Sequence, residues 1–115
     1  MAKKVSKKKW DEQLEFYDKL VAKCPKFERK GKTVPYTSSN GYMFSLLNKE
    51  AELGIRLPKE SAEKFMEKYN STRFKSHGSF MKDYVLIPET IYSKKKLLTD
   101  LLNESFEFVM SLPPK

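Results

Sequence analysis

The hydrophobic positions at the start of the chain follow a helical period. Those that share one helical face recur every three to four residues: Trp10, Leu14, Tyr17 and Val21. Pro25 lacks a backbone N–H and restricts the residue before it, so it ends a helix. The pattern predicts a helix from about residue 6 or 9 to residue 23, with Trp10 and Tyr17 as core anchors.

Between residues 27 and 57 the period shortens to that of strands. Asn40-Gly41 is the strongest hairpin signal, because both residues tolerate the positive φ of a type I′ turn. Pro35 cannot donate to a central ladder, which places its segment at a sheet edge. We expect strands over four stretches: 27–34, broken by a turn at Lys30-Gly31-Lys32, then 35–38, 42–47 and 53–57.

The C-terminal half alternates between helix and strand. A helix is expected from Pro58 to Asn70, and the polar stretch 71–79 is either a loop or a short edge strand. Residues 80–87 form the last predicted strand, and a final helix begins near Ser93. These elements predict an α+β fold: an antiparallel sheet of about four to five strands, packed on one face against N-terminal, middle and C-terminal helices.

Length and charge suggest one domain with a basic leader. The 115 residues carry a net charge of +8, and residues 1–9 contain five lysines and no acid, which leaves +3 for the rest. We therefore expect a flexible tail over 1–9 and a single domain over 10–113. The short apolar runs predict no membrane span, and the cytoplasm is the expected compartment.

Candidate catalytic chemistry is sparse. The single cysteine, Cys24, and the single histidine, His77, are 53 positions apart, without the spacing of a metal site. Cys24 precedes a proline at the end of a helix and is interpreted as a small buried hydrophobe. No phosphate-binding glycine motif or nucleophile elbow is present. We expect a protein that is not an enzyme and that needs no cofactor or metal.

Basic and aromatic residues interleave at three places. A basic turn precedes Tyr36, a second group flanks Phe74 together with His77, and one arginine alternates with apolar residues of a strand and is expected on the opposite sheet face. Exposed cations contact phosphates and aromatic rings stack on bases. The alternative is a lysine-rich surface that only maintains solubility. The candidate nucleic-acid contacts are Arg29, Lys30, Lys32, Arg56, Arg73 and Lys75.

Several segments resemble the TfoX/Sxy N-terminal domain family. Residues 33–57 are similar to its two-hairpin core, with Asn40-Gly41 at the tight turn and Met43–Leu47 as the strand after it. Met81–Glu89 is similar to a family strand that ends at Val-Pro-Glu, and Ser105–Pro113 is similar to the C-terminal helix of the related YjbR/MmcQ-like proteins. The resemblance implies a small α+β domain, a regulatory role and no catalytic residues.

Three functions remain open at this point. The first is a regulatory protein that binds nucleic acid through a basic surface. The second is a protein-interaction module, monomeric or homodimeric, that pairs through an edge strand near residues 35–38. The third is a ligand binder or enzyme with a pocket between sheet and helices, lined by three tyrosines: Tyr36, Tyr42 and Tyr84.

Overall fold

The computed structural model describes residues 6–31, 33–76 and 78–114. Three α-helices, a five-stranded sheet and one 3₁₀ turn make up the described fold, which confirms the predicted α+β class. In chain order the elements are α1 (Lys7–Ala22), β1 (Tyr36–Ser39), β2 (Tyr42–Leu47), β3 (Leu53–Arg56), α2 (Lys59–Tyr69), β4 (Arg73–Ser76), β5 (Ser79–Leu86), the 3₁₀ turn (Glu89–Ile91) and α3 (Lys95–Met110).

All neighbouring strands are antiparallel, in the order β1-β2-β3-β5-β4. The row Ser45, Ile55 and Val85 faces the helices, because Ile55 and Val85 belong to the core cluster that the helices share. The next row, which contains Leu46 and Leu86, faces the other way and packs into a second cluster. The sheet therefore separates two apolar layers.

The larger core lies between the sheet and the three helices. Its buried members include Tyr17 of α1, Phe65 of α2 and Leu102 of α3. Tyr17 is thus the predicted core anchor, whereas Trp10 packs against the cluster only partly buried. Cys24 is 3% exposed and burial raises the pKa of its thiol, so it has the buried apolar environment that the sequence predicts.

A buried hydroxyl network joins α1 to the sheet. The Tyr17 hydroxyl bonds to the Ser45 hydroxyl, which also bonds to the Thr37 hydroxyl, and all three side chains are inaccessible to solvent. These three groups satisfy one another, so their burial does not leave a polar atom without a partner. Burial raises the pKa of the Tyr17 phenol above its ordinary value.

The β1–β2 hairpin positions the last helix. Asn40 and Gly41 both have positive φ, as the sequence predicts for this turn. The Asn40 side-chain amide donates to the carbonyls of Val109 and Leu112, at 2.8 and 2.9 Å, and so binds the last turn of α3 and the segment just after it. One turn residue therefore shapes the hairpin and binds the end of a helix 69 residues away.

The structure corrects three sequence boundaries and decides one that the sequence leaves open. The described part of residues 27–34 contains no strand, and an isolated bridge joins Lys30 to Tyr36. The ambiguous stretch 71–79 contains β4, and a 3₁₀ turn precedes the last helix, which starts at Lys95 rather than near Ser93. At the N-terminus, Ser6 caps α1 by accepting from the Lys9 amide, so Lys7–Lys9 lie in the helix and residues 1–5 lie outside the described residues.

The buried phenol of Tyr17 predicts loss of stability at high pH. In the unfolded chain a tyrosine ionises near pH 10, whereas burial keeps Tyr17 neutral in the fold. Unfolding then releases this proton above about pH 10, so the contribution of Tyr17 to stability is constant below that pH and falls above it. Burial also raises the pKa of the Tyr84 and Tyr92 phenols, which add to the same fall. Urea midpoints measured from pH 8 to 11.5 should show this fall, and Tyr17→Phe should remove about 1.4 kcal/mol per pH unit of it. Equal slopes in the two proteins would contradict the assignment.

Candidate nucleic-acid interface

The β4–β5 hairpin forms one end of the sheet and places Phe74 on the face opposite the helices. Between the pairs Arg73–Val85 and Lys75–Phe80, a single β4 residue faces four residues of β5. The β5 backbone has positive φ at Asp83 within this irregular stretch. Such a bulge bends a strand and increases its twist. The bend brings β4 close to β3, although β5 lies between them in the sheet.

Phe74 is the side chain that fills the space under the hairpin. It is 0% exposed, and a Cβ built on Gly54 of β3 would lie 2.5 Å from its ring. Only glycine permits this approach, since no other residue leaves the backbone bare. Leu46 and Tyr84 are the other buried members of this second cluster, and further apolar side chains pack around it: Val34, Tyr36, Met43, Met81 and Leu86.

Asn48 ties the hairpin to the turn between β2 and β3. Its side-chain NH₂ donates to the Lys75 carbonyl at 2.9 Å and to the Glu52 carboxylate at 3.0 Å. Its side-chain oxygen accepts from the backbone N–H groups of Glu50 and Glu52. Asn48 is 2% exposed, so these bonds form away from solvent and together hold β4 in place.

The outer side of the hairpin presents one aromatic ring and two cations. Phe80 is 57% exposed. The Arg73 guanidinium carbon lies 5.0 Å from the centre of its ring, and the Lys75 ammonium lies 5.6 Å from it. We call these three residues the hairpin patch. Both distances are those of cation–π contacts, which hold the charges beside the ring.

The cations of the hairpin patch carry charge that no carboxylate neutralises within the described residues. Other cations are paired with acids: Lys26 lies 2.8 Å from Glu107, and Lys9 lies 3.0 Å from Glu89. For Arg73 and Lys75 the described contacts are instead with Phe80. The hairpin patch is therefore a place where an anion can meet positive charge without displacing an internal partner.

The first basic turn lies at the other edge of the sheet. The Arg29 guanidinium binds both oxygens of Asp18, at 2.6 and 3.2 Å, and also donates to the Gly31 carbonyl. The hydrogen bond to Asp18 raises the pKa of Arg29, which is committed to holding this loop on α1. Lys30 donates to the Ser38 hydroxyl at 3.3 Å beside β1. The predicted contact at Lys32 lies outside the described residues.

Arg56 is engaged by α3. Its guanidinium carbon lies 5.6 Å from the ring centre of Tyr42 and 5.3 Å from that of Phe108, a residue of α3. The expectation that this side chain faces away from the helices is therefore wrong for its charged end. Its Nε is buried without a hydrogen-bond partner among the described residues. Of the five predicted cations that the structure describes, Arg29 and Lys30 lie in the basic turn and Arg56 lies near α3, whereas Arg73 and Lys75 come together at Phe80.

The three tyrosines proposed to line a pocket lie on different sides of the sheet. Tyr36 and Tyr84 belong to the second cluster, whereas Tyr42 packs against the helix-side core. The Tyr84 hydroxyl donates to the Met43 carbonyl at 2.6 Å. In the described ranges no three metal-binding side chains converge, and His77 lies outside them.

Sequence reasoning missed the exposed ring and the anchor of the patch. The sequence places Phe74 between the cations as a stacking ring, but side chains alternate along β4, so Phe74 is buried and Phe80 is the exposed ring. The only available signal was the register of a hairpin around Gly78, which would have paired Lys75 with Phe80. Nothing local to Asn48 indicates that it binds a strand 27 residues away.

Comparison with family models, curated proteins and solved structures finds no match to this chain. The helices in the described part of the chain are neither long nor apolar enough to cross a bilayer.

The contact between Gly54 and Phe74 predicts that the stability cost of Gly54→Ala depends on whether the Phe74 ring is present. Gly54→Ala places a Cβ against the Phe74 ring and should cost about 1–3 kcal/mol of stability, because the packed ring has to move. In a Phe74→Ala background the same change should cost little, since the obstructing ring is gone. Urea unfolding of the four proteins measures the coupling. An equal cost in both backgrounds would contradict the contact.

The four bonds of Asn48 predict a specific effect of Asn48→Asp. This variant keeps the accepting oxygen but loses the NH₂ that binds Lys75 and Glu52, and it places a charge beside the Glu52 carboxylate. We expect a loss of about 1–3 kcal/mol and faster amide hydrogen exchange in β4. Asn103→Asp is the matched control, because that side chain makes one bond, to the Thr99 carbonyl. Unchanged exchange in β4 would refute the anchoring role.

Proposed function

We propose that this chain is a non-enzymatic regulatory protein that binds nucleic acid through the hairpin patch. The observation that carries the proposal is the pair of exposed cations, Arg73 and Lys75, without a carboxylate partner in the described part of the chain. Phosphates supply the main attraction for such side chains, and binding releases counterions from the nucleic acid. The net charge of +8 favours the same class of partner.

The resemblance to the TfoX/Sxy N-terminal domain supports a regulatory role in this proposal. It rests on core and turn residues, so it bears on the kind of protein rather than on contact residues. The geometry of the hairpin favours Arg73 and Lys75 among the five predicted cations that the structure describes. Arg29 and Arg56 are left out because Asp18 binds the first and the rings of Tyr42 and Phe108 enclose the second.

The hydrogen bonds at the two edges of the sheet favour pairing with a partner strand less than binding of nucleic acid. At the β1 edge, the N–H and carbonyl of Tyr36 are already bonded to Lys30, and Pro35 has no N–H to offer. At the β4 edge, Asn48 occupies the Lys75 carbonyl. Both edges therefore have fewer free groups for a partner strand than the sequence suggests.

The charge of the hairpin patch predicts a local effect on binding and on its salt dependence. We expect the double change Arg73→Gln with Lys75→Gln to weaken binding of a fluorescent oligonucleotide by about tenfold at 50 mM salt. It should also reduce the slope of log affinity against log salt by about 2, because two phosphate contacts are lost. Fluorescence anisotropy at several salt concentrations measures both quantities.

The matched control removes two positive charges from exposed helix positions. Lys64 and Lys96 pair with acids four residues away in their own helices, so Lys64→Gln with Lys96→Gln changes the net charge equally. If both double variants weaken binding to the same extent, net charge rather than the patch is responsible. A chain shortened to residues 6–115 retains the Ser6 cap of α1 and tests two of the five leader lysines, Lys3 and Lys4, separately. Loss of all binding in it would move the site to the leader.

A further inference from the structure

Phe80 is an exposed aromatic ring held at a fixed position. Among the described residues, Phe80 and Met110 are the large hydrophobic side chains that remain exposed. Phe80 sits within β5 and pairs across the hairpin with Lys75. It therefore belongs to a hydrogen-bonded strand instead of a loop, and the hairpin itself is anchored by Phe74 and Asn48. A ring held in this way needs little further ordering when it binds.

The chemistry of the ring limits what it recognises. A phenyl group has no hydrogen-bond donor or acceptor, so it offers a partner only an apolar face and its π-electrons. Every nucleic-acid base has a matching face, and stacking on it does not depend on which base is present. In a duplex those faces are covered by neighbouring base pairs, whereas in a single strand they are available.

The two cations complete a site for a nucleotide unit. Arg73 and Lys75 lie over the ring at 5.0 and 5.6 Å from its centre, and the ring is still 57% exposed, so a base that stacks on the exposed part of Phe80 brings its own phosphates close to both charges. The combination of a stacking ring and adjacent cations is the arrangement by which proteins bind single strands. Two cations on a duplex backbone would not need the ring.

We infer that the hairpin patch binds single-stranded nucleic acid with little sequence preference, with one base stacked on Phe80 and the flanking phosphates held by Arg73 and Lys75. The inference rests on the proposed function and adds to it the strand state of the partner and the role of the ring. It predicts that removing the Phe80 ring weakens binding of single strands without changing its salt dependence, whereas removing the charges of Arg73 and Lys75 lowers both the affinity and its salt dependence.

The test compares Phe80→Ala and Phe80→Trp on two probes, a fluorescent oligothymidine strand and a duplex of equal length. Loss of the ring should weaken single-strand binding by about 5- to 150-fold, the range measured for one stacked base, without changing the salt slope. Duplex binding should be unchanged. The Phe80→Trp variant should retain binding, and its added fluorescence should be quenched when the strand binds.

Met110→Ala is the matched control, since it removes the other exposed hydrophobic side chain from α3. It should leave both affinities unchanged. Thermal unfolding checks that each variant is folded, as expected for side chains exposed to this degree.

Different results would overturn the single-strand inference and the proposed function. If Arg73→Gln with Lys75→Gln weakens binding but Phe80→Ala does not, or if duplex and single strand bind equally, the proposed function stands and the inference is overturned. If neither probe binds the unmodified protein, both fail. Selective loss of single-strand binding in Phe80→Ala, with retention in Phe80→Trp, supports the inference.

Discussion

The second apolar layer of this protein depends on the contact between the Phe74 ring and the bare backbone of Gly54. The helix-side core is built from many residues of three helices and the sheet, whereas the layer on the opposite face has three buried members, of which Phe74 is the only one that is fully inaccessible. The ring reaches Gly54 because β5 bends between its two pairings. A side chain at position 54 would keep the hairpin away, so a single glycine decides whether this face is covered.

Polar side chains fix the elements that the apolar layers bring together. Asn48 holds the hairpin to the β2–β3 turn, and Asn40 holds the β1–β2 turn to the end of α3. Apolar packing is not directional, so it sets which surfaces meet but not the register between them. Buried hydrogen bonds supply that register, because a small displacement leaves a donor or acceptor unpaired. The amides of two turn residues thus set the positions of β4 and α3.

The β4–β5 hairpin has one buried face and one exposed face, and the exposed face carries the proposed site. Side chains alternate along β4, so Phe74 is buried between the exposed Arg73 and Lys75, and Phe80 is exposed where β5 pairs with Lys75. The positive charges of the chain are distributed over its surface. Within the described residues, several of these cations form ion pairs with acids on the next helical turn or on another element. The hairpin patch combines charge that is not used internally with a ring that is not buried, and this combination motivates the proposed contact with single-stranded nucleic acid.

The sequence by itself determined the elements whose signals are local. The helical period of α1, the Asn40-Gly41 turn and the α+β order follow from spacing and backbone preference within a few residues, and the structure contains all three. The tertiary structure decided which face of β4 is buried, because the bend in β5 depends on pairing with a strand that is distant in sequence. It also decided which cations are available, since Asp18 and Phe108 are separated from Arg29 and Arg56 along the chain and come near them only through packing. Local patterns carry no information about such contacts, and the candidate site is made of them.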